Sequence, residues 1–234
     1  MTKVNVKSQV VVSMTTYPAR IHEIGLTIYS ILRGTVKPDT IVCNLAKPEF
    51  PHQYNDLPND IKTLVRTSKL YINWVDKNTK QFKKIIPTMK LYPDAAIISI
   101  DDDLIYPQNF VETLYGDYKA YNGKYPITCG HFIDKYYYKA KPSHHGSFTL
   151  VTRDMFGDNF TSMQYLIDTH LWNEIWFDDP LYTYAIMGNG LEYKLSTFNG
   201  YKYKKQFPCE GVGNHNASKR DWEHKFLSQF YGVF

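Results

Sequence analysis

A short apolar run that ends on three consecutive carboxylates constrains the fold of this chain more than any other stretch. Residues 97–100 read Ile-Ile-Ser-Ile and are followed directly by Asp101, Asp102 and Asp103. Such a run is typical of a parallel strand buried on both faces of a sheet, and in open α/β sheets ligands lie beyond the carboxyl ends of the strands. Three adjacent acids repel one another, whereas Mg²⁺ and Mn²⁺ prefer oxygen ligands. We therefore predict a metal site here, with a solvated acidic turn as the alternative.

The composition is that of an ordinary globular protein. The chain has 234 residues, 43% of them hydrophobic and 21% charged, which allows one α/β domain with a sizeable core. Its net charge of +4 is modest, and the Lys and Arg residues are spread along the chain. This argues against a dedicated nucleic-acid binder but permits peripheral attraction to an anionic membrane surface.

The compartment is predicted from what the sequence lacks. The N-terminal residues contain no apolar stretch of the signal-peptide kind, and no window approaches the length of a membrane span. The three cysteines are far apart, without the paired spacing of a metal site. We expect reduced thiols in a cytoplasmic protein, associated with the membrane surface at most peripherally.

The first half of the chain alternates strands and helices. Strands are predicted at residues 9–14, 40–45 and 70–75, with apolar residues at helical spacing after the first and the third. Pro87 should divide the second of these helices, and Pro107 fits the first position of another. This alternation predicts an α/β fold, a Rossmann-like domain with a mostly parallel central sheet flanked by helices.

The second half is less regular and contains a second acidic pair. Further strands are predicted at residues 125–130, 147–151 and 191–198. Asp178 and Asp179 precede Pro180, which suits the first position of a helix, so Asp179 would be its N-cap. No internal repeat or linker divides the chain, and we expect one domain over residues 1–234.

The turn after the first strand excludes two nucleotide-binding classes. It reads Thr15-Thr16-Tyr17-Pro18 and contains no glycine-rich loop, so a dinucleotide dehydrogenase and a P-loop ATPase are both poor interpretations. A metal held by carboxylates is the obvious substitute for handling phosphate charge. Together with the predicted half-sheet and the second acidic pair, this indicates a nucleotide-diphosphate ligand and a transfer reaction.

Three segments together resemble bacterial GT-A glycosyltransferases of the family-two-like group, which build capsule, lipopolysaccharide and related surface glycans. They are residues 11–20, 83–87 and 98–106, and the resemblance covers about residues 8–200. The three aspartates fit the Asp-x-Asp element of that family. The resemblance implies a nucleotide-sugar-binding half at about residues 8–120, and an acceptor-binding half with the tail at about 121–234.

The resemblance also implies an activity and its cofactor. The chain would be a metal-dependent hexosyltransferase that uses Mn²⁺ or Mg²⁺ and moves a hexose or N-acetylhexosamine from a UDP-sugar. The acceptor would be a surface glycan or a lipid-linked glycan, and the reaction would invert the sugar with an Asp as general base. Physically, a metal stabilises the leaving diphosphate, and a carboxylate removes the proton of the acceptor hydroxyl.

Individual roles follow from the same resemblance. The nucleotide would be bound by Thr15, Thr16, Arg20, Lys84, Asp101 and Asp102. The metal ligands would be Asp101, Asp103 and, from the C-terminal segment, His215. Asp179 would be the general base, with Asp178 as the fallback, and residues 147–149 would line the sugar or acceptor site.

Each of these residues also has a purely structural interpretation. Asp179 can be only a helix cap, His215 only a surface residue, and Arg20 only the partner of Glu23. Lysines around residue 84 are most often a solvated helix face.

Two other functions remain open. One is a nucleotidyltransferase of similar half-fold, although the missing glycine-rich loop counts against it. The other is a non-catalytic, cation-dependent carbohydrate-binding protein, which the 20 tyrosines favour and the strand–helix alternation disfavours.

Overall fold

The computed structural model describes residues 6–128, 148–169, 178–198, 204–205 and 225–233. The strands are β1 Val10–Thr15, β2 Thr40–Ala46, β3 Leu70–Val75, β4 Ala96–Ile100, β5 Leu104–Ile105, β6 Ile127–Thr128, β7 Phe148–Val151, β8 Lys194–Leu195 and β9 Lys204–Lys205. The α-helices are α1 Ile24–Leu32, α2 Asn59–Thr67, α3 Ile86–Leu91, α4 Phe110–Ala120, α5 Asn159–Asp168 and α6 Asp178–Gly188. Shorter 3-10 helices cover Gln53–Asp56, Lys80–Lys84 and Arg153–Met155, and residues 225–230 are also helical.

The central sheet has seven strands in the order β3-β2-β1-β4-β7-β6-β8. The first four of these are parallel to one another, whereas β7 runs antiparallel to both of its neighbours, β4 and β6. β6 and β8 are again parallel. The predicted fold class is therefore confirmed: an α/β protein whose mostly parallel sheet is flanked by helices. Within the described ranges, no helix has the length and apolar character needed to cross a bilayer.

The carboxyl ends of β1 and β4 emerge at the same edge of the sheet. The two strands are parallel neighbours, with Val10 opposite Ala96 and Ser13 opposite Ser99. All five residues of β4 and the first five of β1 are buried, which explains why both read as continuous apolar runs. The loop that follows β1 and the acid cluster that follows β4 are therefore brought together.

The acid cluster is also held from its far side. β5 begins at Leu104, directly after Asp103, and pairs antiparallel with β9, with Leu104 opposite Lys205. The cluster is thus a short connection between a strand of the central sheet and a strand of a separate two-stranded sheet.

Two helix predictions need correction in their details. The predicted division of the helix after Thr79 is confirmed, but it falls at Ile85, where the 3-10 helix ends, and Pro87 lies in the first turn of α3. Pro107 does not start a helix, since α4 begins at Phe110. The backbone N–H of Phe110 donates to the carbonyl of Pro107 (3.1 Å), so residues 107–110 form a turn that leads into the helix.

The strand predicted at residues 191–198 is wrong over most of its length. Only Lys194–Leu195 pairs with β6. The polar residues that follow bind Asp117 of α4 instead: its carboxylate accepts hydrogen bonds from Ser196 Oγ (2.6 Å), Thr197 N (2.9 Å) and Thr197 Oγ1 (2.7 Å). The backbone N–H of Ser196 still donates to the carbonyl of Thr128 in β6 (2.8 Å), but at Thr197 a side chain 80 residues away has replaced the strand partner that the sequence pattern predicted.

Replacing Asp117 with alanine should lower the free energy of unfolding by about 3 kcal/mol, because three buried or half-buried donors would lose a charged acceptor. Urea unfolding measures the loss. Glu112→Ala is the matched control, since Glu112 is an exposed acid of the same helix whose carboxylate accepts the Thr35 hydroxyl at the surface (2.6 Å). Its effect should stay below about 0.5 kcal/mol, and equal effects of the two variants would contradict the role given to Asp117.

Candidate functional site

A cavity of about 420 Å³ opens where β1 and β4 end. Its walls come from the loop after β1, the 3-10 helix Lys80–Lys84 and the acid cluster. All six side chains that the sequence predicts to bind a nucleotide line this one cavity: Thr15, Thr16, Arg20, Lys84, Asp101 and Asp102. The Thr15 hydroxyl is itself engaged, donating to the carbonyl of Asn44 (2.7 Å).

Asp102, the middle acid, holds the loop after β1 against the end of β4. Its buried carboxylate accepts hydrogen bonds from Thr16 Oγ1 (2.7 Å) and from Arg20 Nη1 (2.8 Å). Its backbone carbonyl accepts the hydroxyl of Thr27 in α1 (3.0 Å). Asp102 therefore shapes the cavity wall through contacts within the protein.

Arg20 lies between two members of the cluster. Its Nη1 is 2.8 Å from Asp102 Oδ1 and 3.5 Å from Asp103 Oδ2. Burial alone would lower the pKa of the Arg20 guanidinium, but the two carboxylates outweigh it and raise the pKa well above its ordinary value. The arginine stays charged, and it relieves part of the repulsion among the three acids.

Lys84 joins the acid cluster to the second acidic pair. Its Nζ lies 2.7 Å from Asp101 Oδ1 and 3.9 Å from Asp178 Oδ2, and the residue is only 6% exposed. Its backbone carbonyl accepts the hydroxyl of Ser13 in β1. Burial opposes the charged form, yet Asp101, Asp178 and Asp179 together raise the pKa of the ammonium group above its usual value.

Asp101, the first acid of the cluster, has a pKa that its surroundings shift. Burial raises its pKa to about 6; Lys84 opposes this shift, and the charges of Asp103 and Asp178 add to it. Its backbone N–H donates to the hydroxyl of Tyr106 (3.0 Å), a buried residue just after β5.

The second acidic pair lies in the first turn of α6, which begins at Asp178. The prediction that Asp179 is the N-cap is therefore wrong, because Asp178 before it is already helical. Pro180 is still accommodated, since the first-turn N–H groups of a helix have no partner within it. Asp178 is 6% exposed and Asp179 is half-buried. Burial raises the pKa of Asp178, while Lys84 and nearby backbone N–H groups counteract it.

Lys83 and Lys84 are both buried, so the alternative interpretation of these lysines as a solvated helix face is wrong. Lys83 is 2% exposed, and its Nζ lies 2.7 Å from both Glu49 Oε2 and Asn78 Oδ1. Lys83 and Glu49 line the same cavity, and Glu49 was not expected there. Burial lowers the pKa of Lys83, and Glu49 partly restores it. The available sequence signal was that Phe82 and Ile85, on either side of the two lysines, are apolar.

The donor set suits a hard cation that completes its coordination on a ligand. Asp101 and Asp103 supply carboxylate oxygens, and they lie close enough for the charge of Asp103 to raise the pKa of Asp101. Mg²⁺ is commonly bound by one or two carboxylates together with substrate phosphates. Among the residues with described positions, no group of three His, Cys, Asp or Glu forms a ready metal site. His215 lies outside the described residues.

One predicted part of the site is not where it was expected. Phe148 and Thr149 belong to β7 and are fully buried in the sheet, so they cannot line a sugar or acceptor site. Ser147 lies outside the described residues. β7 contains Thr149 and directly follows Ser147, and these polar residues concealed that both faces of the strand are covered.

Comparison with known proteins leaves the activity unassigned. No protein-family model and no curated protein matches the chain. Among solved structures, it is similar to 4-diphosphocytidyl-2C-methyl-D-erythritolsynthase from Anaerococcus prevotii, with a TM-score of 0.45 and 10% identity. The alignment covers 97% of this chain and 100% of that one. At this identity and score, the similarity does not identify what this chain does.

Proposed function

We propose that the chain is a transferase that acts on a nucleotide-activated substrate, and that the transferred group is a sugar carried on a nucleoside diphosphate. The observation behind this proposal is the content of the cavity at the ends of β1 and β4. It combines four cationic side chains with the acid cluster: Arg20, Lys80, Lys83 and Lys84 line it together with Asp101 and Asp102. Cations suit the phosphates, and carboxylates suit a bridging divalent ion.

The acid cluster would hold that ion. Asp101 and Asp103 would provide its protein ligands, and the ion would be Mn²⁺ or Mg²⁺. When bound, it would supply Lewis-acid stabilisation of the negative charge that grows on the departing diphosphate. Arg20 and Lys84 would then be shared between their carboxylate partners and the phosphates, which keeps the nucleotide in register with the end of β4.

The second acidic pair would handle the proton. Asp178 is buried beside Lys84, whereas Asp179 is half-buried in the first turn of α6 and is the more accessible of the two. We assign Asp179 as the general base that accepts the proton of the acceptor hydroxyl while that oxygen attacks the sugar carbon. Attack from the face opposite the leaving diphosphate inverts the configuration at that carbon.

The partners are proposed from the sequence resemblance. They are a UDP-sugar as donor and a surface glycan or lipid-linked glycan as acceptor. Contact with the inner membrane surface would be peripheral.

The proposal is tested by nucleotide release. Incubated with a panel of UDP-sugars and Mn²⁺, the chain should release UDP, and the rate should fall at least roughly 100-fold in Asp103→Ala or with excess EDTA. Asp94→Ala is the control, because Asp94 is an exposed acid that precedes β4, whereas Asp103 follows it. Undiminished turnover in Asp103→Ala, or in EDTA, would rule out the metal role.

A second candidate is nucleotidyl transfer. It is favoured by Arg20, which follows β1 and shares the cavity with three lysines, as the binding of a triphosphate would require. Pyrophosphate release from a nucleoside triphosphate with a sugar 1-phosphate as acceptor would identify this activity, whereas UDP release from a UDP-sugar would not accompany it. A non-catalytic carbohydrate-binding protein would show neither, and calorimetry would find glycan binding without nucleotide.

A further inference from the structure

A second cavity, of about 430 Å³, lies between β3, α3 and α5. It opens at the carboxyl end of β3, where Asn73, Trp74 and Val75 line it, and this is the end of a parallel strand at which ligands bind in open α/β sheets. Its volume falls within the range of roughly 300–1,000 Å³ that is usual for small-molecule sites. No role assigned above uses this cavity.

The two cavities share one wall. The segment of residues 79–86 presents Thr79, Phe82 and Ile86 to the second cavity, and it presents Lys80, Gln81, Lys83 and Lys84 to the nucleotide cavity. The cationic side chains of this segment therefore face one cavity and its apolar side chains face the other. The two sites are adjacent but chemically different.

The charges that line the second cavity balance. Two carboxylates, Asp76 and Asp168, face two lysines, Lys77 and Lys90. Asp76 is bound by Lys47 (2.6 Å), and Lys77 lies 4.0 Å from Asp168. A phosphate or other anion would find no excess of positive charge here, so the lining favours a neutral ligand.

The remaining lining suits a ligand with an apolar face and several hydroxyls. Trp74 is half-buried, and its indole is held by an edge contact with the ring of Phe50 (centroids 6.0 Å apart). Gln164 donates from Nε2 to Asp168 (2.9 Å), while its buried Oε1 accepts no hydrogen bond within the described part of the chain. Buried polar atoms are normally satisfied, and a turn of the half-buried Gln164 side chain would let a hydroxyl in the cavity supply the missing donor. Aromatic rings pack well against amphipathic ligands of this kind.

We propose that the cavity formed by β3, α3 and α5 is a binding site for a neutral saccharide, separate from the nucleotide cavity. Trp74 would contact the apolar face of a sugar ring, and Gln164 would accept a hydrogen bond from one of its hydroxyls. Binding here needs neither nucleotide nor metal, so the proposal goes beyond the proposed transferase activity and does not depend on it.

Saturation-transfer NMR on the full chain tests this proposal, in EDTA and without nucleotide. The probes are methyl glucoside, methyl galactoside, N-acetylglucosamine, maltotriose and chitotriose at millimolar concentrations. At least one should bind, and Trp74→Ala and Gln164→Leu should each weaken its binding at least roughly tenfold. Gln164 lies on the half-exposed face of α5, so its variant keeps the test valid if the loss of the Trp74–Phe50 contact prevents folding.

The matched control is Tyr71→Ala. Tyr71 is an exposed aromatic residue of the same strand that does not line the cavity, and its loss should leave saccharide affinity unchanged. The proposal is overturned if no probe binds, if Tyr71→Ala weakens binding as much as the cavity variants do, or if UDP displaces the saccharide. The last result would place the sugar in the nucleotide cavity.

Discussion

Replacing Lys84 with methionine is expected to lower the free energy of unfolding by about 3 to 5 kcal/mol at neutral to alkaline pH, because buried carboxylates would lose their cation. Asp101, at 2.7 Å, and Asp178, at 3.9 Å, are the acids that Lys84 bridges, and Asp179 lies close enough to influence its pKa. Methionine fills a similar volume without supplying a charge, so the cavity wall should keep its packing.

The loss should depend on pH. A carboxyl group whose pKa is higher in the folded than in the unfolded chain stabilises the fold below the unfolded pKa, and this contribution is lost as the pH rises through the folded pKa. Asp101 already has a pKa raised from 3.8 to about 6, and removing Lys84 should raise it further. The variant should therefore be closest to the parent protein at about pH 4 to 5 and furthest from it at about pH 8.

Urea unfolding in metal-free buffer at both pH values measures the effect. Lys90→Met is the control, since Lys90 is an exposed lysine on α3, and its loss should cost less than about 0.5 kcal/mol at either pH. Adding Asp101→Asn to Lys84→Met should recover part of the lost stability, because it removes one of the uncompensated charges. If Lys84→Met costs the same at both pH values, the ion pairs are not the cause of its instability.

Changing Asp179 to asparagine should lower the turnover of a UDP-sugar by about 10² to 10⁴ while leaving UDP affinity nearly unchanged. The substitution keeps the side-chain shape in the first turn of α6 but cannot accept a proton. The acidic limb of the pH–rate profile, where the base of the parent enzyme becomes protonated, should disappear in this variant. A residue with only a structural role would shift stability and leave that limb in place.

Asp178→Asn separates the two acids. Because Asp178 lies beside Lys84, its neutralisation should change nucleotide affinity more than the acidic limb. Asp158→Asn, an exposed acid just before α5, is the neutral control. A full loss of turnover in Asp178→Asn with normal turnover in Asp179→Asn would transfer the role of base to Asp178.

The sequence was informative wherever local pattern decides structure. The apolar runs of β1 and β4 predict buried parallel strands, and parallel neighbours bring Thr16, Arg20 and the acid cluster to one edge of the sheet. It was misleading where a distant side chain decides. Asp117 replaces a strand partner for the backbone N–H of Thr197. Lys84 is buried between Asp101 and Asp178, which lie 77 residues apart in the chain. No local pattern encodes which carboxylate a buried lysine will meet.

The cations around the acid cluster explain a further difference between the prediction and the structure. Three adjacent acids predict a need for positive charge, and a metal was the simplest source. The described part of the chain supplies some of that charge itself, through Arg20 and Lys84. The protein therefore has an arrangement in which the cluster is tolerable before any ligand arrives, and the ligand's phosphates would share those same cations.

The pairing of β5 with β9 also has a consequence for the order in which the molecule is built. β5 follows the acid cluster immediately, yet its partner lies about 100 residues later, with Leu104 opposite Lys205. Contacts between residues so far apart form late, since a long loop must close first. During synthesis, β1 to β4 can assemble while the cluster still lacks this support. The site should therefore acquire its final geometry only after residue 205 has left the ribosome, which delays ligand binding until the rest of the sheet is in place.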